Sequence, residues 1–75
     1  MKEIAVLGST GSIGIQTLEA IRLHKDLFHI HVLAARSNIE LLLEQAKEFK
    51  PQYIVITDKA KADAFRYIYD GDAQI

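Results

Sequence analysis

The stretch VLGSTGSIGIQTL, residues 6–18, has glycines at positions 8, 11 and 14, between an apolar run and a helical pattern. A tight turn from a strand into a helix needs a residue without a Cβ, which Gly8 provides. Gly11 lets the backbone approach a ligand, and Gly14 lets the helix pack closely on the sheet. Because free N–H groups and the helix dipole attract anions at a helix N-terminus, the stretch predicts a phosphate-binding turn.

The side chains and the spacing of this turn narrow the class of ligand. Thr10 and Ser12 add hydroxyl donors, and the turn contains no carboxylate that would repel an anion. The spacing is G-x-x-G-x-x-G rather than the commoner G-x-G-x-x-G, and the Gly-Lys-Ser/Thr of a Walker A loop is absent. Between a buried strand and an amphipathic helix the triplet favours a dinucleotide, with a ligand-free turn as the alternative.

The remainder of the chain alternates predicted strands with predicted helices. Apolar runs at 4–7, 29–35 and 53–57 predict strands, while helical spacing begins at Ser12 and behind the capping residues Asn38 and Asp58. The order βαβαβα predicts an α/β fold, a Rossmann-like parallel three-stranded half of a doubly wound NAD(P)-binding domain. The residues expected to face the core are Ile13, Thr17, Ala20, Ile21 and His24 in the first helix, Ile30 and Val32 in the second strand, Ile39, Leu42, Leu43, Ala46 and Phe49 in the second helix, and Ala62, Phe65 and Ile68 in the third.

Such a half-domain is expected to be incompletely covered. With strand order 3-2-1 the first strand lies at an edge of the sheet, and both crossovers place their helices on one face. We therefore expect a bare opposite face at positions such as Val6, Leu33 and Val55. An apolar edge and face of this kind favour association with other protein surface.

The end of the second strand distinguishes NAD from NADP. NAD sites usually place Asp or Glu there, about 20 residues beyond the glycines, to bond the ribose 2′-OH. In LAARSN, residues 33–38, that region instead holds Arg36, Ser37 and Asn38. A guanidinium beside a hydroxyl and an amide suits a 2′-phosphate, so NADPH is the predicted cofactor. The alternative is a solvated Arg36 charge and an Asn38 that only caps a helix.

Several runs of the sequence resemble a known enzyme family. GSTGSIG at 8–14 followed by QTL, then LAARSN at 33–38 and EFKPQYIVI at 48–56, are similar to the amino-terminal order of 1-deoxy-D-xylulose 5-phosphate reductoisomerases. Asn38 matches the family's usual residue, whereas Arg36 and Ser37 replace a commoner Gly-Lys pair and move the cation by one position. The predicted cofactor-binding residues are Gly8, Thr10, Gly11, Ser12, Ile13, Arg36, Ser37 and Asn38.

The resemblance implies an NADPH-dependent oxidoreductase that converts 1-deoxy-D-xylulose 5-phosphate to 2-C-methyl-D-erythritol 4-phosphate in non-mevalonate isoprenoid biosynthesis. It also implies that the complete enzyme uses magnesium or manganese, forms a homodimer and is located in the cytoplasm. Residues 1–75 would be the amino-terminal part of the NADPH-binding domain, inactive alone, with the catalytic and carboxy-terminal domains elsewhere. Two alternatives stay open: a stand-alone NADP-binding module or sensor, and another NADP-dependent reductase with this loop, such as a semialdehyde dehydrogenase or nucleotide-sugar epimerase.

Composition and isolated polar residues argue against other functions. A net charge of -1 gives no nucleic-acid footprint, no cationic amphipathic face suggests a membrane surface, and the absence of cysteine excludes disulfides. His29 and His31 share a side of a strand, but no third metal ligand is evident. Glu44 can pair with Lys47, so the carboxylates of the second helix are interpreted as a solvated face: Glu40, Glu44 and Glu48. No catalytic residue or metal ligand is predicted.

Overall fold

The computed structural model describes residues 2–75 and confirms the predicted α/β class. The chain alternates parallel strands and helices throughout, in the order β1 Lys2–Leu7, α1 Ser12–Arg22, β2 Phe28–Ala35, α2 Ile39–Phe49, β3 Tyr53–Ile56 and α3 Lys59–Ile68. Within residues 2–75, no helix combines the length and the apolar character needed to cross a membrane.

The sheet has the strand order β1-β2-β3, with parallel pairing throughout, so β1 lies at an edge as predicted. After α3 the chain returns to the side of β3 that faces away from β2, where Gln74 forms a parallel bridge with Tyr53. The Ile54 N–H donates to the Gln74 carbonyl at 2.9 Å. Each connection therefore crosses the sheet in the same direction, which places every helix on one face when the crossovers are right-handed.

One hydrophobic core fills the space between this face and the helices. Phe65 of α3 is completely buried in the same cluster as the inner residues of α1 and α2. Ile68, which the helical spacing also predicts to be buried, is 47% exposed instead. The buried members of the core are Val6, Leu18, Ile21, Ile30, Leu33, Ala35, Leu42, Ala46, Phe49, Ile54 and Phe65.

The opposite face of the sheet is bare, although two of the expected positions are wrong. Val55 is 47% exposed, whereas Val6 and Leu33 are buried beneath the helices. Side chains alternate between the two faces of a strand, and Val6 and Leu33 have the phase of the covered face. In β1 the apolar residues on the bare face are Ala5 and Leu7, and Leu7 is 77% exposed.

The buried face of α1 also differs from the prediction. The structure buries Gly14, Leu18 and Ile21, while Ile13 is 79% exposed. Because Gly14 is pressed against the turn before the helix, the inward face is centred on position 14 and its neighbours one and two turns later. Of the predicted stripe only Ile21 is buried, and the exposed members are Ile13, Thr17, Ala20 and His24.

An irregularity in β2 explains why its alternation is misjudged from the sequence. The register with β1 shifts by one residue, so His31 has no partner between the paired residues Ile30 and Val32. A bulge of this kind moves the following side chains to the other face. Leu33 is therefore buried, and Val32 is only partly buried.

The second and third helices begin as predicted, with side-chain caps. The Asn38 Oδ1 accepts the Leu41 N–H at 3.2 Å, and the Asp58 Oδ1 accepts the Lys61 N–H at 3.1 Å. A carboxylate or amide oxygen at this position satisfies a backbone donor that the first helical turn leaves free. The two caps fix where α2 and α3 leave the carboxyl ends of β2 and β3.

An ion pair on the surface joins α1 to α2. The Arg22 guanidinium donates two hydrogen bonds to the Glu48 carboxylate, one of them 2.8 Å long, and the Lys25 ammonium lies 3.7 Å from the same group. The Arg22 hydrogen bond lowers the pKa of the Glu48 carboxyl and raises the pKa of Arg22. The predicted pairing of Glu44 with Lys47 is wrong: neither of these described residues forms an ion pair.

Candidate functional site

The turn between β1 and α1 has a backbone conformation that requires glycine at its first position. Gly8 has a φ of 71°, in the region that L side chains rarely adopt, and its carbonyl accepts the Gly11 N–H at 3.0 Å. The Ser9 N–H donates to the Ala34 carbonyl of β2 at 2.9 Å. Ser9 is thereby fixed to the end of the sheet, and the chain turns directly into α1.

Gly14 sets the distance between α1 and this turn. A Cβ at position 14 would lie 2.1 Å from the Gly8 carbonyl oxygen and 2.7 Å from the Ser9 Cα. Both neighbours are backbone atoms, so they cannot rotate away as a side chain could. The prediction that Gly14 allows close packing is confirmed, and this packing places the first turn of α1 against the end of β1.

The start of α1 leaves several backbone donors without a protein acceptor. Gly11 is its N-cap residue and supplies no side-chain cap, in contrast to Asn38 on α2. Within residues 2–75 the N–H groups of Thr10, Ser12 and Ile13 donate to no protein atom. Ser12 and Ile13 are exposed and Thr10 is partly buried. Unpaired donors at the positive end of a helix dipole are suited to hold an anion.

Gly11 is a glycine that the fold itself does not require. Its φ of -81° and ψ of 172° are extended values that any residue adopts. A Cβ there would lie 3.5 Å from the Gly8 carbonyl oxygen, an ordinary van der Waals contact. Nothing within the described chain therefore excludes a side chain at position 11, whereas a ligand resting on the backbone would.

The residues expected to recognise a 2′-phosphate follow the neighbouring strand. Arg36, Ser37 and Asn38 are all exposed and lie between β2 and α2. Because β1 and β2 are parallel and pair Leu7 with Ala34, the two predicted loops leave the carboxyl ends of neighbouring strands and lie side by side. The Arg36 guanidinium forms no ion pair with any residue of 2–75.

One residue of this region is missed by the sequence analysis. Gln45 lies on the inner face of α2, is 6% exposed, and donates from its Nε2 to the Ser9 carbonyl at 2.8 Å. The available signal is a single amide within an otherwise apolar helical stripe. Its partner is a backbone carbonyl 36 residues away, which the sequence pattern does not reveal.

The two strand histidines are explained by a neighbouring carboxylate. The Glu3 Oε1 hydrogen-bonds to the His29 Nδ1 at 3.1 Å, which links β1 to β2 on the bare face. The Glu3 Oε2 lies 2.9 Å from the His31 Nδ1 without hydrogen-bond geometry. Across residues 2–75, no three His, Cys, Asp or Glu side chains are placed to hold a metal ion.

A cavity of about 400 Å³ lies at the other end of the sheet, where α2 ends and β3 begins. It contains two lysines and two aspartates but none of the predicted cofactor-binding residues. Its lining residues are Ala46, Lys47, Lys50, Pro51, Tyr69, Asp70, Gly71, Asp72 and Ala73. The glycine turn and this cavity are thus separate sites, which makes the cavity a useful internal control for ligand binding.

Comparison with known proteins gives a consistent result. The family described as 1-deoxy-D-xylulose 5-phosphate reductoisomerase matches residues 4–74. Curated relatives of that name come from Porphyromonas gingivalis (52% identical over 60 residues), Saccharophagus degradans (55% over 60) and Ruthia magnifica (41% over 75). These alignments cover 80%, 80% and 100% of this chain but 16%, 15% and 20% of the relatives, so the chain spans about a fifth or less of their length. With nearly all of its residues matched, the chain belongs to the 1-deoxy-D-xylulose 5-phosphate reductoisomerase family.

Proposed function

We propose that this chain is the NADPH-binding segment of a 1-deoxy-D-xylulose 5-phosphate reductoisomerase. Family membership supports the proposal, and the observation that carries it is the row of unpaired N–H groups beside Gly11 at the start of α1. The whole enzyme would convert 1-deoxy-D-xylulose 5-phosphate to 2-C-methyl-D-erythritol 4-phosphate in isoprenoid biosynthesis. When bound, NADPH supplies the hydride for the reductive stage of that conversion.

The glycine turn would bind the diphosphate of the cofactor. The N–H groups of Thr10, Ser12 and Ile13 would donate to phosphate oxygens, with the hydroxyls of Thr10 and Ser12 as further donors. Gly11 would let the diphosphate rest on the backbone, which explains a glycine at a position where the fold tolerates a side chain. Gly8 would serve by setting the turn, since its φ of 71° is a conformation that L side chains rarely adopt.

The segment after β2 would bind the phosphorylated ribose. Arg36 is exposed and free of protein ion pairs within residues 2–75, so its guanidinium is available for a bidentate contact with the 2′-phosphate. Ser37 would add a hydroxyl. Asn38 uses its Oδ1 to cap α2, which leaves its Nδ2 group as a donor.

The other parts of the reaction are assigned elsewhere in the enzyme. Residues 2–75 provide no three-ligand metal site, so magnesium or manganese would be held outside the described residues. A cytoplasmic homodimer, with the sugar phosphate bound outside this segment, completes the proposal. The role of this chain is to bind and orient the cofactor.

The proposal is tested by titrating the chain with NADPH and with NADH under the same conditions. We expect tighter binding of NADPH, and we expect Arg36→Asp to remove the preference because a carboxylate repels the 2′-phosphate. Lys47→Asp makes the same change of charge at the far end of α2 and is the matched control, with the preference retained. Equal affinities of the unmutated chain for both cofactors would refute the NADPH assignment.

A second measurement distinguishes a reductase of this family from a stand-alone NADP-binding sensor. The protein to use is an enzyme as long as the curated relatives that contains this segment. Adding 1-deoxy-D-xylulose 5-phosphate to it should produce NADPH oxidation. The same enzyme with Gly11→Val should lose that oxidation because the side chain occupies the place of the diphosphate. NADPH binding without any turnover in the unmutated enzyme would favour the sensor.

A further inference from the structure

The Ser9 residue of the glycine turn is held from two directions. Its N–H donates to the Ala34 carbonyl of β2 at 2.9 Å, and its carbonyl accepts the Gln45 Nε2 of α2 at 2.8 Å. Ser9 is completely buried. The hydrogen bond from Gln45 is the only one that reaches this turn from a side chain within residues 2–75. This hydrogen bond therefore fixes the orientation of the Ser9–Thr10 peptide group.

The peptide plane shared by Ser9 and Thr10 transmits this control. The described chain has no cis peptide, and in a trans peptide the carbonyl and the following N–H point in opposite directions. With the Ser9 carbonyl fixed toward α2, the Thr10 N–H is directed away from α2. On that side it meets no acceptor within residues 2–75. A rotated Ser9–Thr10 peptide would instead present a carbonyl oxygen where a donor is needed.

Gln45 is an unusual residue for its place in α2. Its neighbours on the inner face are Leu42, Ala46 and Phe49, all buried and apolar. Burying an amide here is unfavourable unless it is hydrogen-bonded, and leucine or methionine would pack in the same position without that requirement. The Gln45 Oε1 is buried and accepts no hydrogen bond. Complete hydrogen bonding of the side chain therefore does not account for an amide at this position. Its one bond, to Ser9, is the reason that the structure offers for it.

We infer that Gln45 is a positioning residue for the diphosphate of the cofactor, acting through the Ser9–Thr10 peptide. The inference rests on the proposed function, since it assigns the Thr10 N–H to a phosphate oxygen. Gln45 lies two helical turns beyond Asn38, about 10 Å along α2 at 1.5 Å per residue. The helix that begins at the 2′-phosphate segment thus also fixes the orientation of a donor in the diphosphate turn.

The inference is tested with Gln45→Met, which keeps the length of the side chain and removes the donor. Glu44→Met, at the exposed neighbouring position, is the matched control. We expect Gln45→Met to lower the affinities for NADPH and for NADH by the same factor. The factor should be roughly tenfold, as for the loss of one hydrogen bond to a charged group. The ratio of the two affinities stays unchanged, whereas Arg36→Asp changes the ratio. A merely structural role would lower thermal stability without selectively moving the Thr10 amide resonance relative to Ile13.

A measurement on the unmutated chain covers the case in which Gln45→Met does not fold. The Gln45 side-chain amide protons should exchange with solvent far more slowly than those of the exposed Gln16 and Gln52, while the Thr10 backbone amide exchanges fast until NADPH is added. Exposed-like exchange at Gln45, or a folded Gln45→Met that binds both cofactors normally, overturns the inference and leaves the proposed function intact. Absence of NADPH binding by the unmutated chain overturns both.

Discussion

The contact between Gly14 and the turn gives the sharpest prediction about stability. In Gly14→Ala the new Cβ would lie 2.1 Å from the Gly8 carbonyl oxygen and 2.7 Å from the Ser9 Cα, both backbone atoms. Relief requires α1 to move away from the end of β1, which loosens the packing of Leu18 and Ile21. Overpacking of this kind costs about 1–3 kcal/mol. The helical preference of alanine over glycine offsets roughly 0.5–1 kcal/mol of that cost.

The expected net loss of about 1 kcal/mol is appreciable for a chain of this size. Stabilities of about 0.05–0.15 kcal/mol per residue imply a total of roughly 4–11 kcal/mol here. A loss of about 1 kcal/mol should lower the Tm by roughly 4–8 °C, measured by circular dichroism during heating. Gly11→Ala is the matched control, because its Cβ meets only the Gly8 oxygen at 3.5 Å and its backbone is extended. A Gly14→Ala chain that melts with or above the unmutated one would refute the reasoning.

Three further changes probe the core, a cap and the ion pair. Phe65→Ala, at a completely buried position, should cost about 3–5 kcal/mol and lower the midpoint of a urea titration far more than Phe65→Leu does. Asn38→Ala removes the bond to Leu41 and should cost about 1 kcal/mol, whereas Asn38→Asp keeps the cap but weakens NADPH relative to NADH, as measured by parallel titrations. Glu48→Gln should lower the Tm at neutral pH, because Arg22 lowers the pKa of Glu48 in the folded chain. The difference in Tm from the unmutated protein should persist at pH values above the ordinary carboxyl range. It should disappear as the pH falls through the lowered pKa. A pH-independent difference would contradict that assignment.

The positions of the elements and caps could be predicted because their signals are local. Asn38 and Asp58 precede helical stripes and cap them as predicted. The apolar run before Gly8 and the run at 53–57 are strands in the expected order. Each of these features depends on residues a few positions apart, which sequence periodicity reports directly.

The errors arise where distant contacts decide the outcome. The inner face of α1 depends on the approach of Gly14 to Gly8, which favours Leu18 over the neighbouring stripe that begins at Ile13. The phase of β2 changes at the bulge beside His31, and a bulge is a property of the pairing with β1.

The candidate site shows the same division between local and distant information. The residue types of the glycine turn and of the segment 36–38 predict a site, and the parallel pairing of β1 with β2 brings the two to the same end of the sheet. Gln45 could not be predicted because its partner is the Ser9 carbonyl, and a backbone acceptor leaves no mark on the sequence pattern. The ion pair of Glu48 with Arg22 is not predictable for a related reason, since it joins two helices rather than two turns of one helix.

The most direct test of the central claim is a titration of the ¹⁵N-labelled chain with NADPH, followed by amide chemical shifts. Binding of the diphosphate at the start of α1 predicts saturable changes at Thr10, Ser12 and Ile13, accompanied by changes at residues 36–38. Saturable changes confined to the cavity at Lys47 and Tyr69, with the amides of the glycine turn unmoved, would contradict it.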